Sequence, residues 1–118
     1  MLDYRFKRGD IVFVDMPQGK GSEQGKPRPA LIIQNDVGNK YSPTVIVSFF
    51  TSREKTTLPT HVTVDADEET GLKVPSTVLL EQVTTIDKSR ITERIGRIPL
   101  SKVDSINHAL SVSVGLAV

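Results

Sequence analysis

The chain contains no cysteine and no tryptophan, and its aromatic residues are only four Phe and two Tyr. Without cysteine, neither a disulfide nor a thiolate-ligated metal site can form. No apolar run approaches the ~20 residues that a membrane-spanning helix needs. The first ten residues, MLDYRFKRGD, lack the apolar segment of a secretory signal. We therefore expect a cytoplasmic protein with no membrane contact.

An excess of charge of one sign is also lacking. The chain has 15 Lys and Arg against 14 Asp and Glu, a formal net charge of +1. The distribution is uneven, because four of the acids crowd into residues 65–69. A local basic surface can therefore exist on a nearly neutral protein. Such a surface attracts phosphate groups within a Debye length of ~8 Å.

The length of 118 residues predicts one domain spanning residues 1–118. Short runs rich in β-branched residues recur between turn signals, which is typical of a small β-barrel or sandwich. The predicted strands are residues 11–14, 30–33, 44–50, 61–64 and 77–86, with a further exposed strand over residues 91–98.

The C-terminal segment has a different periodicity. Val103, Ile106, Leu110 and Val114 follow a spacing of three and four residues, which predicts a helix with one buried face. Ser101 has the side chain of a helix N-cap, and Gly115 is typical of a helix end. Residues 65–72 are expected to form a short helix or turn. The predicted fold class is mainly β with a C-terminal helix.

Several kinds of chemistry are disfavoured by spacing. The two histidines, His61 and His108, show no zinc-ligand spacing and are expected to be structural or surface residues. The acidic run 65–69 lacks the glycine and glutamate positions of an EF-hand. The segment 21–26 lacks the glycine spacing of a phosphate-binding P-loop. We therefore expect no metal site and no cofactor.

One polar segment stands out between two predicted strands. Residues 20–29, KGSEQGKPRP, form a long link, and long links within compact domains are often functional. Pro27 and Pro29 restrict the backbone on both sides of Arg28. A guanidinium held in this way binds phosphate oxygens well, because its planar fork matches two of them. The alternative is that Arg28 pairs with Glu23 and pins the segment.

A set of motifs occurs in a fixed order along the chain: Arg8-Gly9-Asp10-Ile11, Gly21-Ser22-Glu23-Gln24-Gly25, Arg28-Pro29, Gln34-Asn35-Asp36, Leu58-Pro59-Thr60-His61-Val62, Leu80-Glu81-Gln82-Val83 and Thr85-Ile86-Asp87. This ordered set resembles the MazF/PemK family of bacterial toxins over residues 7 to 116. The resemblance implies an SH3-like small β-barrel and a homodimer. It also implies a sequence-selective endoribonuclease that cuts single-stranded RNA and is neutralised by a MazE-type antitoxin.

The same resemblance suggests roles for individual residues. Arg28 and Thr51 match the catalytic arginine and threonine of the family, and Glu23 matches a loop glutamate implicated in catalysis. Because an arginine does not release its proton near neutral pH, Glu23 is the better general base. The 2′-hydroxyl of the RNA would attack the phosphorus without a metal ion. The residues expected to contact RNA are Ser22, Gln24, Lys26, Arg53, Lys55, Glu81 and Gln82, and Phe49 or Phe50 could stack on a base if its ring is not in the core.

Two rival interpretations stay open at this stage. A non-enzymatic toxin of the same fold, similar to the gyrase-poisoning CcdB branch, would bind a protein such as DNA gyrase and would not need Arg28 paired with Thr51. An SH3-like adaptor would bind peptides in an aromatic-lined groove, which few aromatic residues disfavour.

Overall fold

The computed structural model describes residues 3–15, 26–53 and 57–118 of the chain. No helix among these residues is long and apolar enough to span a membrane. The elements follow in the order β1 (Asp10–Val14), β2 (Arg28–Ile32), α1 (Asp36–Tyr41), β3 (Thr44–Thr51), β4 (His61–Val64), β5 (Ser76–Asp87), β6 (Ile91–Arg97) and α2 (Leu100–Ser113), with a 3-10 turn at Lys88–Arg90 between β5 and β6.

The six strands form one antiparallel sheet in the order β4-β5-β3-β2-β1-β6. Strand β5 is long and bent. Its first half pairs with β4 and with the end of β3, and its second half pairs with the start of β3. Between the pairs Phe50–Val78 and Ser48–Val83, β5 takes five residue steps while β3 takes two. This bend curls the sheet into a barrel-like shape, which confirms the mainly β class with a C-terminal helix.

A hydrophobic cluster lies on each face of the sheet, and these two clusters bury two phenylalanine side chains. Phe50 belongs to a buried cluster that α2 closes with Ile106 and Ala109. Phe49 belongs to a second buried cluster, which includes Phe6. Strand alternation does send the two phenylalanines to opposite faces, yet both are buried, at 6% and 2% exposure. Neither ring is therefore on the surface to stack on a base.

The helices differ from expectation in two places. Helix α2 begins at Leu100 with Pro99 at the N-cap position and no side-chain capping bond, so the prediction of Ser101 as N-cap is wrong. Its end is as predicted, since Gly115 follows with a φ of +80°. The six-residue helix α1 was not predicted. It depends on the Asn35 side chain, which accepts a hydrogen bond from the backbone N–H of Gly38.

Candidate active site

The first feature of the site is the closeness of two strand ends. Strands β2 and β3 are antiparallel, with Ala30 opposite Phe49 and Leu31 opposite Ser48. Continuing this register by two residues places Arg28, the first residue of β2, beside Thr51, the last residue of β3. Two residues that are 23 positions apart in sequence are thus brought together at one end of two neighbouring strands.

The guanidinium of Arg28 is held by two contacts. It lies 4.8 Å from the centroid of the Phe49 ring, in cation–π geometry. One of its nitrogens, Nη2, donates a 3.4 Å hydrogen bond to the backbone carbonyl of Phe50, the residue before Thr51. The side chain is exposed at the surface, and this hydrogen bond uses one of five N–H groups. The remaining donors can meet a phosphate placed between Arg28 and Thr51.

The Thr51 hydroxyl is half-buried and oriented by its neighbour. Its oxygen accepts a 3.2 Å hydrogen bond from the backbone N–H of Arg53. A hydroxyl that accepts one bond still has its own hydrogen to donate. Thr51 can therefore supply a donor at the strand position opposite Arg28, and its own place is set by pairing with Thr77 of β5.

Glu81 has both carboxylate oxygens occupied. Thr60 donates to Oε1 at 2.8 Å, and the His61 ring nitrogen Nε2 lies 3.2 Å from Oε2. Because the other ring nitrogen of His61 accepts from the backbone N–H of Leu58, Nε2 is the nitrogen that carries the proton. Burial raises the pKa of Glu81, but the hydrogen bonds from Thr60 and His61 outweigh it, so the pKa lies below its ordinary value.

The pairing of His61 with Glu81 was not predicted from the sequence. His61 was expected to be structural or on the surface, and its ring is indeed almost fully buried against Glu81. The signal available was the position of His61 at the start of β4, the strand that pairs with the first half of β5. Glu81 and the exposed Gln82 lie in the β5 bend, beside Phe49, whose ring supports Arg28.

The remaining predicted site residues fall into two groups. Lys26 and Arg53 are exposed, two positions before Arg28 and two positions after Thr51. Ser22, Glu23, Gln24 and Lys55 lie outside the described residues, and so does the alternative pairing of Arg28 with Glu23. Among residues 3–15, 26–53 and 57–118, no group of three or more His, Asp or Glu side chains is arranged to hold a metal ion.

Comparisons with known proteins cover almost the whole chain. A family model of PemK-like, MazF-like toxins of type II toxin–antitoxin systems matches residues 7–114. The chain is 47% identical over 111 residues to the endoribonuclease EndoA of Bacillus subtilis, covering 93% of this chain and 95% of the relative. It is 45% identical over 111 residues to the endoribonuclease MazF of Staphylococcus saprophyticus, covering 93% and 92% of the two chains.

Solved structures agree with this assignment. The fold superposes on a MazE–MazF structure from Deinococcus radiodurans with a TM-score of 0.79 at 26% identity, covering 98% of this chain and 100% of the other. It superposes on the Mycobacterium tuberculosis toxin MazF-mt6 with a TM-score of 0.77 at 26% identity, covering 92% and 99%. Fold, sequence and the order of the motifs all agree, and the chain belongs to the family of PemK-like, MazF-like toxins of type II toxin–antitoxin systems.

Proposed function

We propose that this MazF-type endoribonuclease cuts single-stranded RNA at selected sequences without a metal ion, with Arg28 and Thr51 at the reacting phosphate. The observation that carries the proposal is the contact between the Arg28 guanidinium and the carbonyl of Phe50. It fixes the cation against the peptide that leads into Thr51. The family membership and the endoribonuclease relatives support the same reaction class.

The chemistry uses the RNA's own nucleophile. The 2′-oxygen attacks the adjacent phosphorus, and the bond from phosphorus to the 5′-oxygen breaks. The 2′-hydroxyl proton goes to a base, and the leaving 5′-oxygen takes a proton from water. The products are a 2′,3′-cyclic phosphate and a 5′-hydroxyl end.

Negative charge grows on the non-bridging phosphate oxygens during this attack. Arg28 meets that charge with the N–H groups that the Phe50 carbonyl leaves free, and Thr51 adds a hydroxyl donor. Donors fixed in advance are effective, because they need not reorient as charge develops, and removing one typically costs ~3–4 kcal/mol of transition-state stabilisation. Stacking on Phe49 limits the motion of the guanidinium before RNA binds.

Glu23 is the proposed base, since an arginine does not release its proton near neutral pH. Its replacement by Gln is expected to lower kcat and to flatten the acidic side of the pH–rate profile. A profile of unchanged shape would dismiss Glu23 as the base. Ser22, Gln24, Lys26, Arg53, Lys55, Glu81 and Gln82 are proposed to contact RNA.

The decisive experiment is cleavage of a defined single-stranded RNA in EDTA. Arg28→Ala should reduce kcat/KM by about 10²–10³-fold, and Thr51→Ala should lower kcat with little change in KM. Arg97→Ala is the matched control, because Arg97 is also exposed but pairs with the opposite end of β1. Loss of cleavage in EDTA, or full activity of Arg28→Ala, would refute the proposal.

The partners follow from the same proposal. The MazE–MazF structures of Deinococcus radiodurans support an antitoxin of the MazE type, which would cover the RNA site. We also propose that the protein is a homodimer and acts in the cytoplasm. The rival interpretation is a non-enzymatic toxin that binds a protein such as DNA gyrase. It predicts no RNA cleavage by the wild-type protein and no effect of Arg28→Ala on toxicity.

A further inference from the structure

Two exposed tyrosines lie at the end of the sheet away from Arg28. Tyr4 is 63% exposed and Tyr41 is 65% exposed. The polypeptide before β1 packs against the end of β2, since the N–H of Gly9 donates to the carbonyl of Ile32. Tyr4 and Tyr41 are the two tyrosines of the chain. Tyr4, Lys40 and Tyr41 are called the tyrosine face below.

The tyrosine face is held in place by the backbone. The N–H of Asp3 donates a 2.9 Å hydrogen bond to the carbonyl of Lys40, which ties the N-terminal segment to the end of α1. The ammonium of Lys40 lies 5.1 Å from the centroid of the Tyr4 ring. A short segment that would otherwise be free is thus anchored with its ring beside a cation. The buried Phe6, two residues further on, packs in the same cluster as Phe49.

Lys40 is the cation that the tyrosine face itself contributes. Asp3 is paired with Arg5 at 2.9 Å and with the buried Lys88 at 3.4 Å, so other cations neutralise this acid. Two exposed acids lie near this end. The carboxylate of Asp36 accepts from the backbone N–H of Arg8 and from the Asn39 amide, and that of Asp87, opposite Thr44, accepts from the backbone N–H of Ser89. An exposed ring beside a cation, such as Tyr4 beside Lys40, is a feature that binds single-stranded nucleic acid, because a base stacks on the ring and a phosphate meets the cation.

The distance from the active site to the tyrosine face matches the reach of an RNA strand that continues beyond the scissile bond. Strand β3 runs from Thr44, next to α1, to Thr51. At ~3.3 Å per residue it spans about 23 Å. About seven stacked nucleotides, at ~3.4 Å each, would cover that distance.

We propose that the tyrosine face is a second RNA-binding site, on which bases about seven nucleotides from the scissile phosphate stack. The proposal rests on the endoribonuclease function given above and adds a contact outside the cleavage motif. It makes the enzyme prefer long substrates to short ones that carry the same motif. Lys40 adds phosphate attraction that falls as salt rises.

The first test compares two RNAs that share one cleavage motif. The short RNA has about three nucleotides on each side of the scissile phosphate and stops before the tyrosine face, and the long RNA has about twelve and reaches it. Wild type should cut the long RNA with a lower KM. Tyr41→Ala should reduce this preference by about fivefold or more, whereas the ring-preserving Tyr41→Phe should keep it. RNAs that are extended on the 5′ side alone, or on the 3′ side alone, identify which side of the RNA reaches the tyrosine face.

Controls separate this proposal from the active-site proposal. Cleavage of the short RNA should be equal in wild type, Tyr4→Ala and Tyr41→Ala. Val37→Ala, on the same helix and 69% exposed, should keep the length preference. Lys40→Gln should lower the slope of log KM against log salt by about one for the long RNA only.

Three results would overturn the inference. The first is equal kcat/KM on both RNAs in the wild type. The second is a length preference that survives Tyr4→Ala and Tyr41→Ala together. The third is a change of sedimentation mass in these variants with the length preference intact, which would assign the face to contact between copies of the chain. Absence of any cleavage of the short RNA by wild type would instead refute the nuclease proposal.

Discussion

The buried ammonium of Lys88 offers the sharpest test of what stabilises this fold. Lys88 is 7% exposed, and its Nζ donates to the carbonyl of Asn39 and lies 3.4 Å from Oδ2 of Asp3. The Asp3→Asn variant removes the opposite charge and leaves the buried ammonium with neutral acceptors only. Removing one partner of a buried ion pair costs ~3–5 kcal/mol. The retained Asn39 contact reduces this, so we expect a loss of about 2–3 kcal/mol, or roughly 10 °C in Tm.

The pH dependence of the same variant provides an independent check. The hydrogen bond from the Arg5 side chain is the largest effect on Asp3 and holds the pKa of its carboxyl well below the ordinary value. The stabilisation is therefore fully present above the pKa of the unfolded chain, ~3.9, and is lost as the pH falls toward the folded pKa. The stability difference between wild type and Asp3→Asn should be constant near neutral pH and should shrink below about pH 4.

The measurement is urea unfolding from pH 7 down to pH 2.5, with Lys88→Met as the partner variant. In the double variant no buried charge is left unpaired, since Arg5 is exposed, so its loss of stability should be smaller than the sum of the two single losses, by about 1 kcal/mol or more. The reasoning would be refuted if the two losses of stability were additive, or if the stability difference between wild type and Asp3→Asn did not change with pH.

Two further predictions concern the sheet near the active site. Ser48 is fully buried, and its hydroxyl has no hydrogen-bond partner among the described residues. Ser48→Ala should therefore raise the free energy of unfolding by about 1 kcal/mol, measured by urea denaturation. A loss of stability in this variant would contradict the prediction. Thr60 donates a hydrogen bond to Glu81, and Thr60→Val removes it. Because the Glu81 carboxylate is then held less firmly, kcat/KM on the preferred RNA motif should fall by up to about tenfold. The preference for particular bases should also relax, which sequencing of the RNA ends would measure. An unchanged set of cut sites at an unchanged rate would show that the Thr60 bond plays no part in base recognition.

Local patterns predicted the strands well, because β-branched runs between turn residues report the buried sheet directly. Helix α1 was missed because six residues are too few to show helical periodicity, and because contacts outside the helix help to hold it, among them the donation from the Lys88 ammonium to the carbonyl of Asn39. Asn39 in the helix donates to the carbonyl of Gln34, and Gln34 in turn donates to the carbonyl of Thr44. Ser101 failed as an N-cap because Pro99 already fits that position, with a φ of −62°.

Only part of the candidate site could be predicted from the sequence. The prolines around Arg28 pointed to a restrained guanidinium, but Thr51 entered through family resemblance alone. Its closeness to Arg28 depends on the register of β2 with β3, which no local pattern specifies. The contact of His61 with Glu81 likewise depends on how far β5 bends, a property of the whole sheet.

The position of Arg28 and Thr51 at paired strand ends has an evolutionary consequence. The two side chains proposed to act at the reacting phosphate are positioned by the pairing of β2 with β3 and, for Arg28, by the ring of Phe49. A substitution at Glu81 or Gln82, which are proposed to contact RNA, leaves this strand pairing in place. The preferred RNA sequence can therefore diverge between relatives while Arg28 and Thr51 keep their positions.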